Sequence, residues 1–142
     1  MTPEELKATF HRVVYTAYNQ GNVDALDEIY APEFVYHRFP FPDAVDLKAY
    51  KQTILDLRQA FTDVKLTFDE MIVEGDTVAT RWTWQGKNTG QSQSFPFPAT
   101  GKQVKINGVA MSHVTGGKAT EEWNSVDWLG FLQQLGIIQP LG

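Results

Sequence analysis

The 142-residue chain holds few groups able to move a proton near neutrality. It has three histidines, His11, His37 and His113, and no cysteine. Thiolate chemistry and disulfide cross-links are therefore excluded. His37 follows the extended-looking Phe34-Val35-Tyr36 and precedes Pro40 and Pro42, a place suited to the mouth of a cavity. An unperturbed imidazole titrates at about pH 6.5, which makes His37 the candidate general base by type. His11 falls on a helical segment as a surface or packing residue. The three histidines are far apart, and no spacing suggests a metal site. No nucleophile motif or phosphate-cradling glycine loop occurs.

Carboxylates are the other candidates. Glu121 and Glu122 are adjacent on a predicted strand, so their side chains point to opposite faces and cannot form a paired-carboxylate site. Glu122 is the one candidate for a carboxylate facing the cavity. Asp127 stands between Val126 and Trp128, and Trp128-Leu129-Gly130 reads as the start of a helix. An Asp there accepts backbone N–H groups and complements the helix dipole, a cap contributing about 1 kcal/mol. Backbone donors would lower its pKa, the wrong direction for a base at neutral pH. Arg81 alternates with Thr80 and Trp82 on a predicted strand and is expected at a pocket wall, tied to Glu121 or Glu122. Trp82 and Trp84 share one face, as pocket wall, interface or core.

The elements that must position these groups follow from the periodicity. Thr2-Pro3-Glu4-Glu5 opens a first helix with a capping box, carrying Leu6, Phe10, Val13, Val14 and Ala17 on one face and stopped by Gly21. Val23 to Tyr30 make a shorter second helix. Asp46 caps a third, carrying Leu47, Tyr50, Ile54, Leu57 and Phe61. The period then changes to two. Strands are predicted over 64–73 and 77–85, joined by Glu74-Gly75-Asp76, and over 104–114 and 119–126, joined around Gly116-Gly117. A Gly-, Ser- and Pro-rich loop runs over 86–102, and a closing helix over 128–135. Helices first and an antiparallel meander after them make an α+β fold. A curved sheet wrapped around the long third helix would form a cone with a cavity at its open end.

Composition fits one domain over 1–142. Apolar residues make up 42%, with nine Phe, five Tyr and four Trp, enough for a core plus an aromatic pocket or interface. The net charge of −5, without a basic cluster, argues against nucleic acid and anionic membranes as partners. MTPEELKATF is not a secretory signal, and a cytoplasmic protein is expected.

Several segments carry a resemblance: Pro32-Glu33-Phe34-Val35-Tyr36-His37, Val78-Ala79-Thr80-Arg81-Trp82, Gly86-Lys87-Asn88-Thr89-Gly90, Pro98-Ala99-Thr100-Gly101-Lys102, Glu121-Glu122-Trp123 and Leu132-Gln133-Gln134-Leu135-Gly136. In this order they resemble the SnoaL-like polyketide cyclases of the nuclear transport factor 2-like superfamily. The resemblance implies a cone-shaped α+β barrel with one internal pocket, in a homodimer or homotetramer. It also implies ring closure by intramolecular aldol condensation, without metal or organic cofactor, on an apolar or aromatic small molecule. In the family an Asp is the acid/base and a His lies nearby. Counting back from Leu135-Gly136 puts the Asp position on Asn124, and counting back from Gly117-Lys118 puts the His position on Ala110. Asn124 has no titrating proton, but its amide can hold a carbonyl or enolate oxygen; it can equally be a polar group satisfied by its neighbours. A water-activating Arg between two Asp, found in epoxide hydrolases of the superfamily, is not matched, since Ala79 and Thr83 flank Arg81.

Strand alternation gives Ile106, Gly108, Ala110 and Val114 one apolar face. Asn124 shares it if the 115–117 turn has an odd number of residues, and His113 then lies on the other side. Three functions remain open: a cyclase or related carbon-acid enzyme with His37 as base and Asn124 as oxyanion donor, a non-catalytic small-molecule-binding or dimerisation module, or a hydrolase or isomerase whose acid is Glu122.

Overall fold

The computed structural model describes residues 1–141. Helix α1, Pro3–Gln20, starts at the Thr2 capping box: Glu5 N donates to Thr2 Oγ1 (3.1 Å) and Thr2 N to the Glu5 carboxylate (2.9 Å). Gly21, at φ 78°, ends it in the left-handed conformation that glycine adopts without steric cost. The expected second helix is a single 3-10 stretch, Val23–Glu28, and its last predicted residue, Tyr30, already begins strand β1, Tyr30–His37. Asp46 caps α2, Leu47–Ala60, by accepting from Ala49 N at 2.8 Å. Strands β2 (Phe61–Glu74), β3 (Thr77–Asn88), β4 (Gln103–Thr115) and β5 (Lys118–Val126) follow, then α3, Trp128–Gln134.

These strands form one sheet in the order β1-β5-β4-β3-β2. Three of its pairings are antiparallel, as the meander requires. The fourth departs from expectation: β1 runs parallel to β5, with Tyr36 opposite Glu122 and His37 opposite Trp123. The curved sheet makes the wall of the cone, and two helices rather than one fill its concave side. Helix α1 lies against β2, and α2 against β1 and β2. Asn19 at the end of α1 fastens the helix to the outermost strand, exchanging hydrogen bonds with Leu66 N (2.7 Å) and Leu66 O (3.1 Å). That pairing also occupies backbone groups on an otherwise open sheet edge.

The 89–102 loop folds back onto the C-terminal part of α2. Buried Asp56 on α2 accepts from Gln93 N (3.0 Å) and Ser94 N (2.8 Å). Fully buried Asn88 donates to Ala60 O (3.1 Å) and accepts from Thr100 N (2.7 Å). These anchors bring Phe95 onto Phe61 and Phe131. Among the described residues no helix is long and apolar enough to cross a membrane.

Candidate functional site

Alternation along the strands decides which side chains meet inside the cone. The β4–β5 hairpin turns on two residues, Gly116-Gly117, with Thr115 opposite Lys118. An even-membered turn alone would put Asn124 on the wrong face. One extra residue corrects it: Val114 pairs with Ala119 but His113 with Glu121, so Thr120 is bulged. Past the bulge Ser112 faces Glu122 and Ala110 faces Asn124.

The concave face therefore carries successive cross-strand rows. Val78, Ser112, Glu122 and Tyr36 form the first, then Thr80, Ala110 and Asn124, then Phe68, Trp82, Gly108 and Val126, then Leu66, Trp84 and Ile106. All except Gly108 line an internal cavity of about 120 Å³, together with Tyr18 from α1, Tyr50 from α2, Phe95 from the 89–102 loop, and Trp128 and Phe131 from α3. Gly108 has its own part. A Cβ there would collide with the Trp82 indole and with Ser125 O, so only glycine lets that indole lie across the strand.

Trp82 is thereby aimed at Asn124. Its Nε1–H donates to Asn124 Oδ1 at 3.0 Å, and Asn124 Nδ2 donates to the Tyr36 hydroxyl at 2.7 Å. The indole fixes the amide's orientation, so Tyr36 accepts from it and keeps its own proton for another partner. The Tyr18 and Tyr50 hydroxyls lie 3.2 Å apart. Burial pushes the Tyr18 phenol up to about 12 and holds those of Tyr30, Tyr36 and Tyr50 well above their usual value. These hydroxyls stay protonated as donors.

Glu122 is the acid of this cavity. It is 9% exposed and accepts from Ser112 Oγ at 2.7 Å. Burial raises its carboxyl from 4.5 to about 7, with the Ser112 bond opposing. A carboxyl near 7 suits both taking and returning a proton at neutral pH. Two further donors lie farther along: Trp84 Nε1 and Trp128 Nε1 are buried without a hydrogen-bond partner among the described residues.

The structure corrects two placements. His37 is not at the cavity. It follows Tyr36 and so turns to the outer face, where it stacks on Trp123 with centroids 5.2 Å apart. Nδ1 meets Asp43 (2.9 Å) and Nε2 meets Glu121 (2.7 Å). Glu121 foremost, with Asp43, raises its pKa despite partial desolvation. Both nitrogens are engaged and the charged form is favoured, which removes it as the base. Arg81 is likewise outside, half a strand repeat from Trp82, and pairs with Glu70 (3.5 Å) and Asp69 (3.8 Å) rather than Glu121 or Glu122. Trp82, Ala110, Glu122 and Asn124 do line the cavity. His113 packs edge-on against Trp123 outside. Asp127 caps α3, accepting from Gly130 N at 2.9 Å. Among the described residues no cluster of three or more His, Cys, Asp or Glu could hold a metal ion.

Sequence reasoning passed over Tyr18, Tyr36, Tyr50 and Arg38 as site residues. For Tyr18 a signal was present: Phe10, Val14 and Tyr18 recur every four residues, one stripe of α1, and all three line the cavity.

Solved structures share this architecture. TsrD from Streptomyces laurentii is 25% identical, with a TM-score of 0.80 over 95% of each chain. A polyketide cyclase candidate from Acidithiobacillus ferrooxidans is 28% identical, with a TM-score of 0.79 over 96% of this chain and 99% of that one. IdmH, a polyketide cyclase candidate from Streptomyces antibioticus, is 26% identical, with a TM-score of 0.75 over 96% and 99%. Among curated proteins the sequence has no match. Residues 8–135 match the family model of the SnoaL-like polyketide cyclases, and the chain belongs to that family.

Proposed function

We propose that the cavity performs cofactor-independent carbon-acid chemistry, the intramolecular aldol closure of a ring on an apolar or aromatic substrate, with Glu122 as acid/base. The observation that carries this is one buried carboxyl, with a pKa of about 7, among protonated tyrosine hydroxyls. The Glu122 carboxylate takes a proton from a carbon flanked by carbonyls. Tyr36 O–H, polarised by the Asn124 amide, and the Tyr18–Tyr50 pair hold the enolate oxygen. The enolate carbon attacks a second carbonyl of the same chain, and the new alkoxide takes the proton back from Glu122. No electrons leave the substrate, and the cavity supplies proximity.

Turnover of a linear aromatic polyketide, offered both as the free acid and as the ester, tests the reading. Glu122→Gln should abolish it and His37→Ala should leave it within a few-fold; retained activity in Glu122→Gln would end the proposal. A binding module is the second reading. It is favoured by one observation: both polar atoms of Asn124 are already satisfied by Trp82 and Tyr36. Tight binding of either form without turnover would establish it.

The same reading takes the outer sheet face as the contact with a second copy. Ile72, Ala79, Met111, Trp123 and His37 form one row across all five strands, and Ile72, Val109, Met111 and Trp123 are exposed. Carboxylates and cations, including Glu70, Arg81 and Glu121, border that apolar row, a pattern that can complement itself about a two-fold axis. Met111→Lys should convert a dimer to monomer by light scattering; an unchanged mass would place the contact elsewhere.

A further inference from the structure

Among the described residues two ionisable charges line the cavity, Glu122 and Arg38. The first has the part proposed above; the second has none. Arg38 follows His37 at the end of β1, half-buried at the mouth. Arg12 and Arg81 are paired with carboxylates, and Arg58 donates to Tyr18 O at 2.7 Å. Arg38 is different. Its Nε donates to Pro42 O at 3.1 Å, its guanidinium lies 5.1 Å from the centre of the Phe41 ring, and among the described residues no carboxylate lies within ion-pair distance.

The contacts Arg38 does make leave its recognition edge free. They use Nε and the flat face, whereas the two terminal nitrogens form the fork that matches a carboxylate in bidentate geometry. Its surroundings say what should be attached to that carboxylate. Phe41 packs on Trp128 (4.9 Å) and Phe95 (6.0 Å), and both of those pack on Phe131. The guanidinium thus stands beside an aromatic cluster that continues into the cavity. On the other side its charge reaches the phenols of Tyr18 and Tyr36, where it works against the upward push of burial. In a chain of net charge −5, a cation with no carboxylate partner among the described residues, at the entrance of an aromatic cavity, is a local exception that favours one sign of ligand.

We propose that Arg38 is the receptor for a carboxylate, so that the cavity selects an aryl carboxylic acid over the corresponding ester, amide or amine. The acid group is held at the mouth and the ring lies against Phe41, Phe95 and Trp128. This deepens the reading of the cavity as a site for aromatic substrates, but it does not depend on Glu122 acting as a base.

Calorimetric titration of the whole chain with 2-naphthoate, methyl 2-naphthoate and 2-naphthylmethylammonium tests it without any turnover. The acid should bind about tenfold or more tighter than the ester, as expected for charge-assisted bidentate bonding, and the ammonium weakest. Arg38→Met should bring the acid down to the ester's affinity and leave the ester unchanged. Arg38→Lys, which keeps a point charge but loses the fork, should fall between, and it serves where the methionine variant fails to fold. Equal binding of acid and ester, a preference for the ammonium, no binding of any probe, or equal weakening of acid and ester in Arg38→Met would each overturn the proposal. The last would leave Arg38 as packing for Phe41. Glu122→Gln separates the two readings: it should end turnover while the acid-over-ester preference persists.

Discussion

Replacing Glu122 by Gln should stabilise the protein above neutral pH while removing its proposed chemistry. Burial raises the Glu122 carboxyl from 4.5 to about 7. Between those values the folded chain holds a proton that the unfolded chain releases, so stability falls as pH rises through this window. The ionised form is disfavoured by an amount of order 3 kcal/mol, from about 1.4 kcal/mol per pKa unit. Gln keeps the volume and an oxygen to accept from Ser112 Oγ, and carries no charge to bury. The two proteins should therefore be closely matched near pH 5 and diverge up to about pH 8. There the Gln variant should melt roughly 10 °C higher for a domain of this size. His37, whose folded pKa is also raised, contributes stability present below its unfolded pKa and lost as pH rises through the folded one. It is present in both proteins and cancels in the difference. The assay is thermal melting of both chains across that range, with kcat/KM of the parent followed in parallel; its rising limb should fall near pH 7, where Glu122 ionises. Parallel stability curves would refute the argument, because they would mean that the carboxylate is as well solvated as in the unfolded chain.

Three further outcomes follow from single contacts. His37→Ala should remove part of the loss of stability above pH 6.5, in melts run against the parent, because the imidazolium no longer bridges Asp43 and Glu121. Gly108→Ala should cost about 1–3 kcal/mol by overpacking in urea denaturation, and should move the Trp82 indole N–H resonance as its bond to Asn124 breaks. Asp127→Ala should cost about 1 kcal/mol in the same denaturation series, with ligand binding kept, since the carboxylate serves Gly130 N rather than the cavity.

What was legible in the sequence was local. Caps at Thr2, Asp46 and Asp127 and the stop at Gly21 announce themselves through residues that satisfy backbone groups within a few positions. The hairpin turns are equally plain. The parallel docking of β1 onto β5 was not, because it joins residues about 86 apart (36 and 122) whose pairing no short-range rule specifies. The face assignment was also blurred by the apolar outer surface. With Ile72, Val109, Met111 and Trp123 exposed, polar-out alternation is weak on three strands. A usable signal did exist on β1: Tyr30, Phe34 and Tyr36 are the bulky aromatic positions, all even-numbered and all buried. Their parity excludes His37 from the same side.

The bulge at Thr120 shows how little separates the two arrangements. Without it the two-residue turn would pair an even-numbered residue of β4 with an odd-numbered one of β5. Glu121 would then come opposite Ser112 and enter the cavity, and Glu122 would go outside to His37. Two adjacent glutamates would exchange roles with no change of sequence. What opposes the exchange is the packing on both sides of the strand. Trp123, stacked between His37 and His113, would be driven into the concave face already filled by Trp82 and Trp84, and Asn124 would lose its bonds to Trp82 and Tyr36. The buried acid is thus set by the large aromatic groups around it, and the register they fix is what makes Glu122 the acid of the cavity.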